Sequence, residues 1–422
     1  MALTKIGTDG VKDDAVTSDK VANAINSAIA ANTAKDLTAL SAANLTSGTI
    51  PDARFPATLP AASAANLTNL PANRVNRNLI INGAMQVAQR GTSVSIGSDS
   101  NTYLIDRFKL GRNNAGDWTM SQSSESPDGF SNSLKIDSTS VTTGMGVNRE
   151  AGLYQVFEGQ DLQSIAKGTS SAKEITVSFY IKCNKNGTYN VELMDNDNSN
   201  RHVSKTYTVS NNNWTKHTIT FPADTTGAFN NDNGNSMHIY FWLTAGGQFI
   251  TGSRQETWGA LNQGGRATGQ ANLMDSASNE WYITGVQLEV GSTATDFEHR
   301  SFGEELALCQ RYYQVLATGD QAAIGNGFAF QTNRFQCNCH LPVEMRTTPT
   351  LDEQMTGSTK YRINLGNSDQ NTGISPSLSS VVSNARTVNL GWSSLGTNVT
   401  NGDGGQVRKQ GDSGILGVQA EL

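Results

Sequence analysis

"MHIYFWLTA", residues 237–245, sets the fold class. Successive side chains of an extended chain point to opposite faces, so Met237, Ile239, Phe241 and Leu243 share one side. "ITVSFYIKC", residues 175–183, repeats the pattern with Ile175, Val177, Phe179, Ile181 and Cys183. A helix would scatter these residues around its axis; a strand gathers them into one apolar face that needs a second sheet against it.

Working outward, further strands are expected in NLIINGAMQVA, YNVELMD, KTYTVS, WTKHTITF and EWYITGVQLEV, separated by Asn/Asp/Gly turns such as NKNG and NNDNGN. Several short strands around one apolar set predict a mainly β fold: an antiparallel β-sandwich over 79–300. A length of 422 residues with 36% hydrophobic residues and 41 glycines suits loop-rich β domains. Charged residues are 16% and the net charge is −6 without a Lys/Arg cluster, which argues against nucleic acid as a partner. No apolar run approaches the ~18–20 residues of a membrane span, and MALTKIGTDGVKDDAV lacks the basic and apolar regions of a secretory signal. Four scattered cysteines do not make a disulfide framework, which fits folding in a reducing cytoplasm.

Residues 1–35 carry a short helix over Val16–Asn32, with Thr17 or Ser18 as cap and Val21, Ile25 and Ile29 on one stripe. Residues 36–78 contain a repeat, SAANLT at 41–46 and again at 63–68, with IPDARF echoed by LPANRV. Leu40, Leu45, Ile50 and Phe55 recur every five residues, and the spacing resumes at Leu70 and Val75. A period of five matches neither helix nor strand, and Pro51, Pro56, Pro60 and Pro71 break any continuous helix. The segment reads as a flexible linker or as an extended multi-chain stalk with those six residues at a shared axis, and the stalk is preferred.

At the other end, 301–316 reads as a connecting helix. Ser301 and Glu304 have capping-box spacing, and Leu306, Cys309 and Tyr313 form a stripe with Glu305 and Gln310 turned elsewhere. Residues 317–422 form a C-terminal β-sandwich tip domain, in which NGFAFQTNRFQCNCHLPV gives two strands turning at Thr332–Asn333 and LGVQAEL a last strand.

Candidate chemistry is sparse. Cys337-Asn338-Cys339-His340 has a one-residue spacer where structural zinc uses C-x₂₋₄-C, and Phe335, Cys337, Cys339 and Leu341 share a strand face, so the thiols read as core. Asp195 to Asn200 offers alternate oxygen ligands without the distal acid or Gly of a calcium loop, and reads as a polar turn. His202, His217, His238, His299 and His340 fall near no nucleophile elbow, while Glu304 and Glu305 are adjacent on a helix and point apart. No catalytic residue, metal or cofactor is expected. The second face of the two best strands carries Tyr180, and His238, Tyr240 and Trp242. Such rings either pack under a loop or neighbouring chain, or form a platform for sugar C–H faces.

NRNLIINGAMQVAQRGTS, YLIDRF and EWYITGVQLEVGSTATDFEHRSFGEELALCQRYYQ together resemble the tail fibre and receptor-binding proteins of tailed bacteriophages, cyanophage and marine-phage relatives especially. The resemblance spans roughly 78–314; GVKDDAVTSDKVANAI, LTSGTIPDARFP and LPVEMRTTPT are similar to attachment, stalk and C-terminal stretches of such fibres. It implies a homotrimeric virion fibre, assembled in the host cytoplasm, whose N-terminus docks on the phage tail or baseplate. The middle domain would be a jelly-roll β-sandwich like carbohydrate-binding modules, and the distal part would meet host surface polysaccharide or lipopolysaccharide. The alternatives are an architectural connector or decoration protein, and a polysaccharide depolymerase tailspike, which would need paired carboxylates and a long groove.

Overall fold

The computed structural model describes residues 23, 25–27 and 76–422, apart from 98–100, 143, 367–368, 380–382, 397–398 and 412–413. The chain divides into two compact units, Met1–Ala72 and Asn73–Leu422. In the first, residues 23 and 25–27 are helical and exposed, inside the span where the helix was expected. The stalk positions Leu40, Leu45, Ile50, Phe55, Leu70 and Val75 lie outside the described residues.

In the second unit the expected sandwich is present. One sheet has the order β1-β4-β5-β12-β7-β10 and the other β2-β3-β6-β11-β8-β9. The strands are β1 Ser93–Ile96, β2 Thr102–Tyr103, β3 Lys109–Asn113, β4 Trp118–Ser123, β5 Ser133–Ser138, β6 Glu150–Glu158, β7 Ile175–Cys183, β8 Gly187–Asp195, β9 Arg201–Val209, β10 Thr215–Phe221, β11 Asn235–Ala245 and β12 Glu280–Val290. Both decisive stretches are strands, β7 in the first sheet and β11 in the second. Phe179 and Phe241 meet edge-to-face across the interior at 5.1 Å between ring centroids. All five inward residues of β7 and the four of β11 are buried in one core, as the two-residue period requires.

NLIINGAMQVA is not a strand. Asn82 and Met85 take positive φ, at 62° and 57°. The Asn82 amide donates to the Val87 and Asp106 carbonyls and accepts from the Val87 N–H. One side chain thus closes a buried loop that places Ile80, Met85 and Val87 in the interior without a ladder.

The helix α1 spans Phe302–Gln310 and has both hydrogen bonds of the capping box between Ser301 and Glu304. It is shorter than 301–316, because Tyr313 begins a strand. It also buries Glu305 beside Cys309, leaving Leu306 only half-buried. The Glu305 carboxylate accepts from the Asn82 N–H, so a charge sits where an apolar stripe was expected.

The remaining strands are β13 Tyr313–Ala317, β14 Ala323–Gln331, β15 Arg334–His340, β16 Thr350–Glu353, β17 Tyr361–Leu365, β18 Asp369–Thr372, β19 Ser377–Leu378, β20 Thr387–Trp392, β21 Gly404–Lys409 and β22 Leu416–Gln419. They form sheets β13-β22-β16 and β18-β17-β21-β14-β15-β20-β19 around a second core. Cys337 and Cys339 belong to that core, beside Phe335, Trp392 and Val407. The seam between the two β bodies is polar: Glu158 accepts from Arg311 Nε and Nη2 at 2.7 Å and from Tyr312, and Arg107 pairs with Glu421. Among the described residues no helix is long and apolar enough to cross a membrane.

Candidate functional site

The four aromatic and histidine positions singled out in the sequence do not form one surface. Tyr180 lies on β7 and the other three on β11, in different sheets, so they face opposite sides of the sandwich. Tyr180 packs with Phe130 at 5.5 Å, and Phe130 in turn meets Phe297 at 5.0 Å and His299 at 5.3 Å. Trp242 is fully buried, Tyr240 is 6% exposed and His238 is half-buried.

What buries Trp242 is the segment after β11. A single helical turn, α2, at Gly247–Ile250 sets Phe249 against the indole at 5.2 Å, and Ala267 closes the same cluster. A charged network holds this cover down. Glu192 of β8 accepts from Arg266 Nε at 2.9 Å and Nη2 at 2.9 Å and from Trp242 Nε1 at 3.2 Å. His202 Nε2 accepts from the Asn262 N–H, which leaves the ring hydrogen on Nδ1, 2.9 Å from Glu192 Oε1. Burial pushes the Glu192 carboxyl up, but Arg266 and His202 outweigh it and hold it at about 2. The cover therefore seals the half of the outer face that lies over β8 and β9.

The other half is open, and the sheet register organises it. Tyr103 of β2 pairs with Lys109 of β3, Lys109 with Tyr154 of β6, and Tyr154 with Tyr240 of β11. The four side chains make one row across the sheet, reaching the sealed half where Tyr240 pairs with Glu192. Lys109 Nζ stands 5.2 Å from the Tyr103 ring centroid and 5.4 Å from that of Tyr154. Tyr154 and Tyr240 stack at 5.6 Å and 25°. The rings lie low because the next row begins with glycine. A Cβ on Gly111 would come within 2.6 Å of Tyr154 Cε1, and one on Gly152 would strike the Tyr240 ring. Tyr103, Lys109, Tyr154 and His238 are each half-buried, so ring faces and one ammonium are presented together.

The row runs on, through Tyr103, into a cleft of about 330 Å³ between the edge of this sandwich and the C-terminal body. Arg90, Asn101, Tyr103, Asp352, Gln354 and Gln419 line it. Planar polar side chains around an aromatic ring match the donors, acceptors and C–H faces of a sugar. Asp352 is oriented by Tyr313 Oη, which donates to it at 2.9 Å, and by Gln354 at 3.0 Å.

Glu150 is two residues beyond Gly152 on the same face of β6. Burial pushes its carboxyl up, and the charge of Glu192 adds to this while Arg266 opposes it. Burial likewise pushes the Tyr154 hydroxyl up to about 12. The turn at Asp195–Asn200 is held by protein groups. Asp195 receives Lys167 Nζ at 2.5 Å together with the N–H groups of Asp197 and Asn198.

Sequence reading missed Tyr103, Lys109 and Tyr154. Tyr154 alternates with buried Leu153 in EAGLYQVFE and had a local signal; Tyr103 and Lys109 join it only through pairing across 40 or more residues.

No protein-family model matches the chain, and no curated protein does. Among solved structures, the enzymatically active domain of bacteriophage CBA120 tailspike protein 4 is similar at 13% identity and TM-score 0.26, over 51% of this chain and 21% of that one. The CBM22-1 xylan-binding domain from Paenibacillus barcinonensis is similar at 10% identity and TM-score 0.25, over 49% and 100%. A family 11 carbohydrate-binding module from Clostridium thermocellum, in complex with a mixed-linked tetrasaccharide, is similar at 12% and 0.25, over 49% and 98%. The chain thus spans about a fifth of the tailspike domain it matches.

Proposed function

We propose that the chain is a homotrimeric tail fibre of a tailed bacteriophage that attaches the particle to polysaccharide or lipopolysaccharide on the host surface. Its N-terminal segment would dock on the tail or baseplate. The observation that carries the glycan part is the open row Tyr103–Lys109–Tyr154, laid flat over glycine and continuous with a polar cleft. Ring faces take sugar C–H groups, and the amides and carboxylate of the cleft orient hydroxyls. Three copies per fibre turn weak single contacts into firm adsorption through effective concentration. Binding without turnover is the expected mode. Glycoside hydrolysis needs two available carboxyls; on this side Glu192 is held by Arg266 and Trp242 and Asp352 by Tyr313 and Gln354, which leaves Glu150 among the acids described above.

The test is competition: purified protein should block phage adsorption to host cells, and Tyr154→Ala should weaken cell binding by about tenfold. Adsorption unaffected by saturating protein would favour the architectural connector. Sustained release of reducing ends from host polysaccharide would favour the depolymerase.

A further inference from the structure

Lys109 occupies the centre of the open row with its ammonium between two tyrosine rings. Most described lysines of this unit stand within ion-pair distance of a carboxylate, as Lys135 does with Asp137 and Glu280 or Lys167 with Asp195 and Asp224. Lys109 has no such partner among the described residues. Its charged neighbours are committed elsewhere: Glu421 pairs with Arg90 at 3.1 Å and with Arg107, and Asp106 lies 3.7 Å from Arg90. Burial pulls the Lys109 ammonium toward its neutral form, with Glu421 opposing. The remaining acids on this side are Glu150, further along β6, and Asp352 across the cleft, already hydrogen-bonded to Tyr313 and Gln354. A partly desolvated cation framed by two sugar-stacking rings lacks one thing, an anion delivered with the sugar.

We propose that Lys109 is the anion contact of this face and that its ligand is an acidic glycan, a saccharide bearing a carboxylate or a phosphate. This rests on the glycan reading above and narrows it. The acid group sits on Lys109 while adjoining sugar units cover Tyr154 and Tyr103.

The experiment titrates the full chain with two matched pairs: polygalacturonate against its fully methyl-esterified form, and phosphomannan against the same mannan dephosphorylated. The charged member of one pair should bind about tenfold tighter or more, a margin that shrinks with added salt. The pair that shows the margin tells carboxylate from phosphate. Lys109→Gln should erase the margin, bringing the charged and neutral members to equal affinity; Lys109→Arg should retain it; Tyr154→Ala should weaken both members. A margin that survives Lys109→Gln, or equal affinity for both members of each pair, would overturn the proposal while leaving glycan binding intact. Binding to no member of either pair would overturn it, and failure to label host cells as well would overturn the glycan reading with it.

Discussion

The sandwich carries aromatic groups on both outer faces, and the two are built differently. On the first sheet Phe130, Tyr180, Phe297 and His299 turn edges and faces toward one another, with centroids 4.8–5.5 Å apart. Each ring there is satisfied by another ring. On the second sheet the open tyrosines are separated by a lysine, and their faces are spaced by the strand ladder. Rings that close on each other stabilise the fold; rings set one per strand, with a cation between them, are left for something else. Aromatic content alone does not separate a platform from packing. What separates them is the group between the rings: Tyr154 also stacks on Tyr240, but Lys109 beside it has no ion-pair carboxylate among the described residues.

Substitutions should sharpen this contrast, and the largest effect belongs to the sealed half of the second sheet. Trp242→Ala opens a cavity under α2 and removes a donor to Glu192, so a loss of about 3–5 kcal/mol is expected in chemical denaturation. A change near zero would mean that the cover is not packed. Phe130→Ala, in the self-satisfied cluster, should cost about 1–2 kcal/mol because its ring is half-buried, and should leave cell binding unchanged. A loss of cell binding in that variant would reverse the roles of the two faces. Tyr154→Ala should do the opposite in binding: its half-buried ring should cost about 1–2 kcal/mol of stability, as for Phe130, but with the tenfold binding loss given above.

A separate prediction concerns pH. Burial holds His238 at about 4, below its ordinary 6.5, with Glu192 opposing and Arg266 assisting. The unfolded chain takes up this proton near pH 6.5 and the folded chain resists it until about pH 4. His238 should therefore erode stability as pH falls across that window. His238→Gln should flatten the melting temperature between pH 6.5 and 4; an unchanged slope would place the titration elsewhere.

Much of the architecture was legible locally. Strands β7 and β12 coincide with ITVSFYIKC and EWYITGVQLEV, and the Ser301–Glu304 capping box is formed as its spacing predicts. The cysteines of β15 are core residues, as alternation indicated. Local pattern failed where one polar side chain overrode it. NLIINGAMQVA has strand composition, yet the Asn82 amide bonds to backbone that a ladder would otherwise use. Glu305 belongs to a charged run that reads as surface, yet its carboxylate is buried against the Asn82 N–H.

The run FEHRSFGEELALCQRYYQV shows the division most clearly. In one dimension it reads as a capped connecting helix; in three it binds two β bodies together through Arg311 and Tyr312, which both donate to Glu158. By itself the sequence determined the most regular strands, β7 and β11, and which side of each is apolar, because a two-residue period is a property of the chain alone. Only the tertiary structure decided which outward side chains are sealed and which stay open. That choice rests on strand order, on register between segments far apart in sequence, and on one loop folding back over Trp242, none of which leaves a local periodic mark.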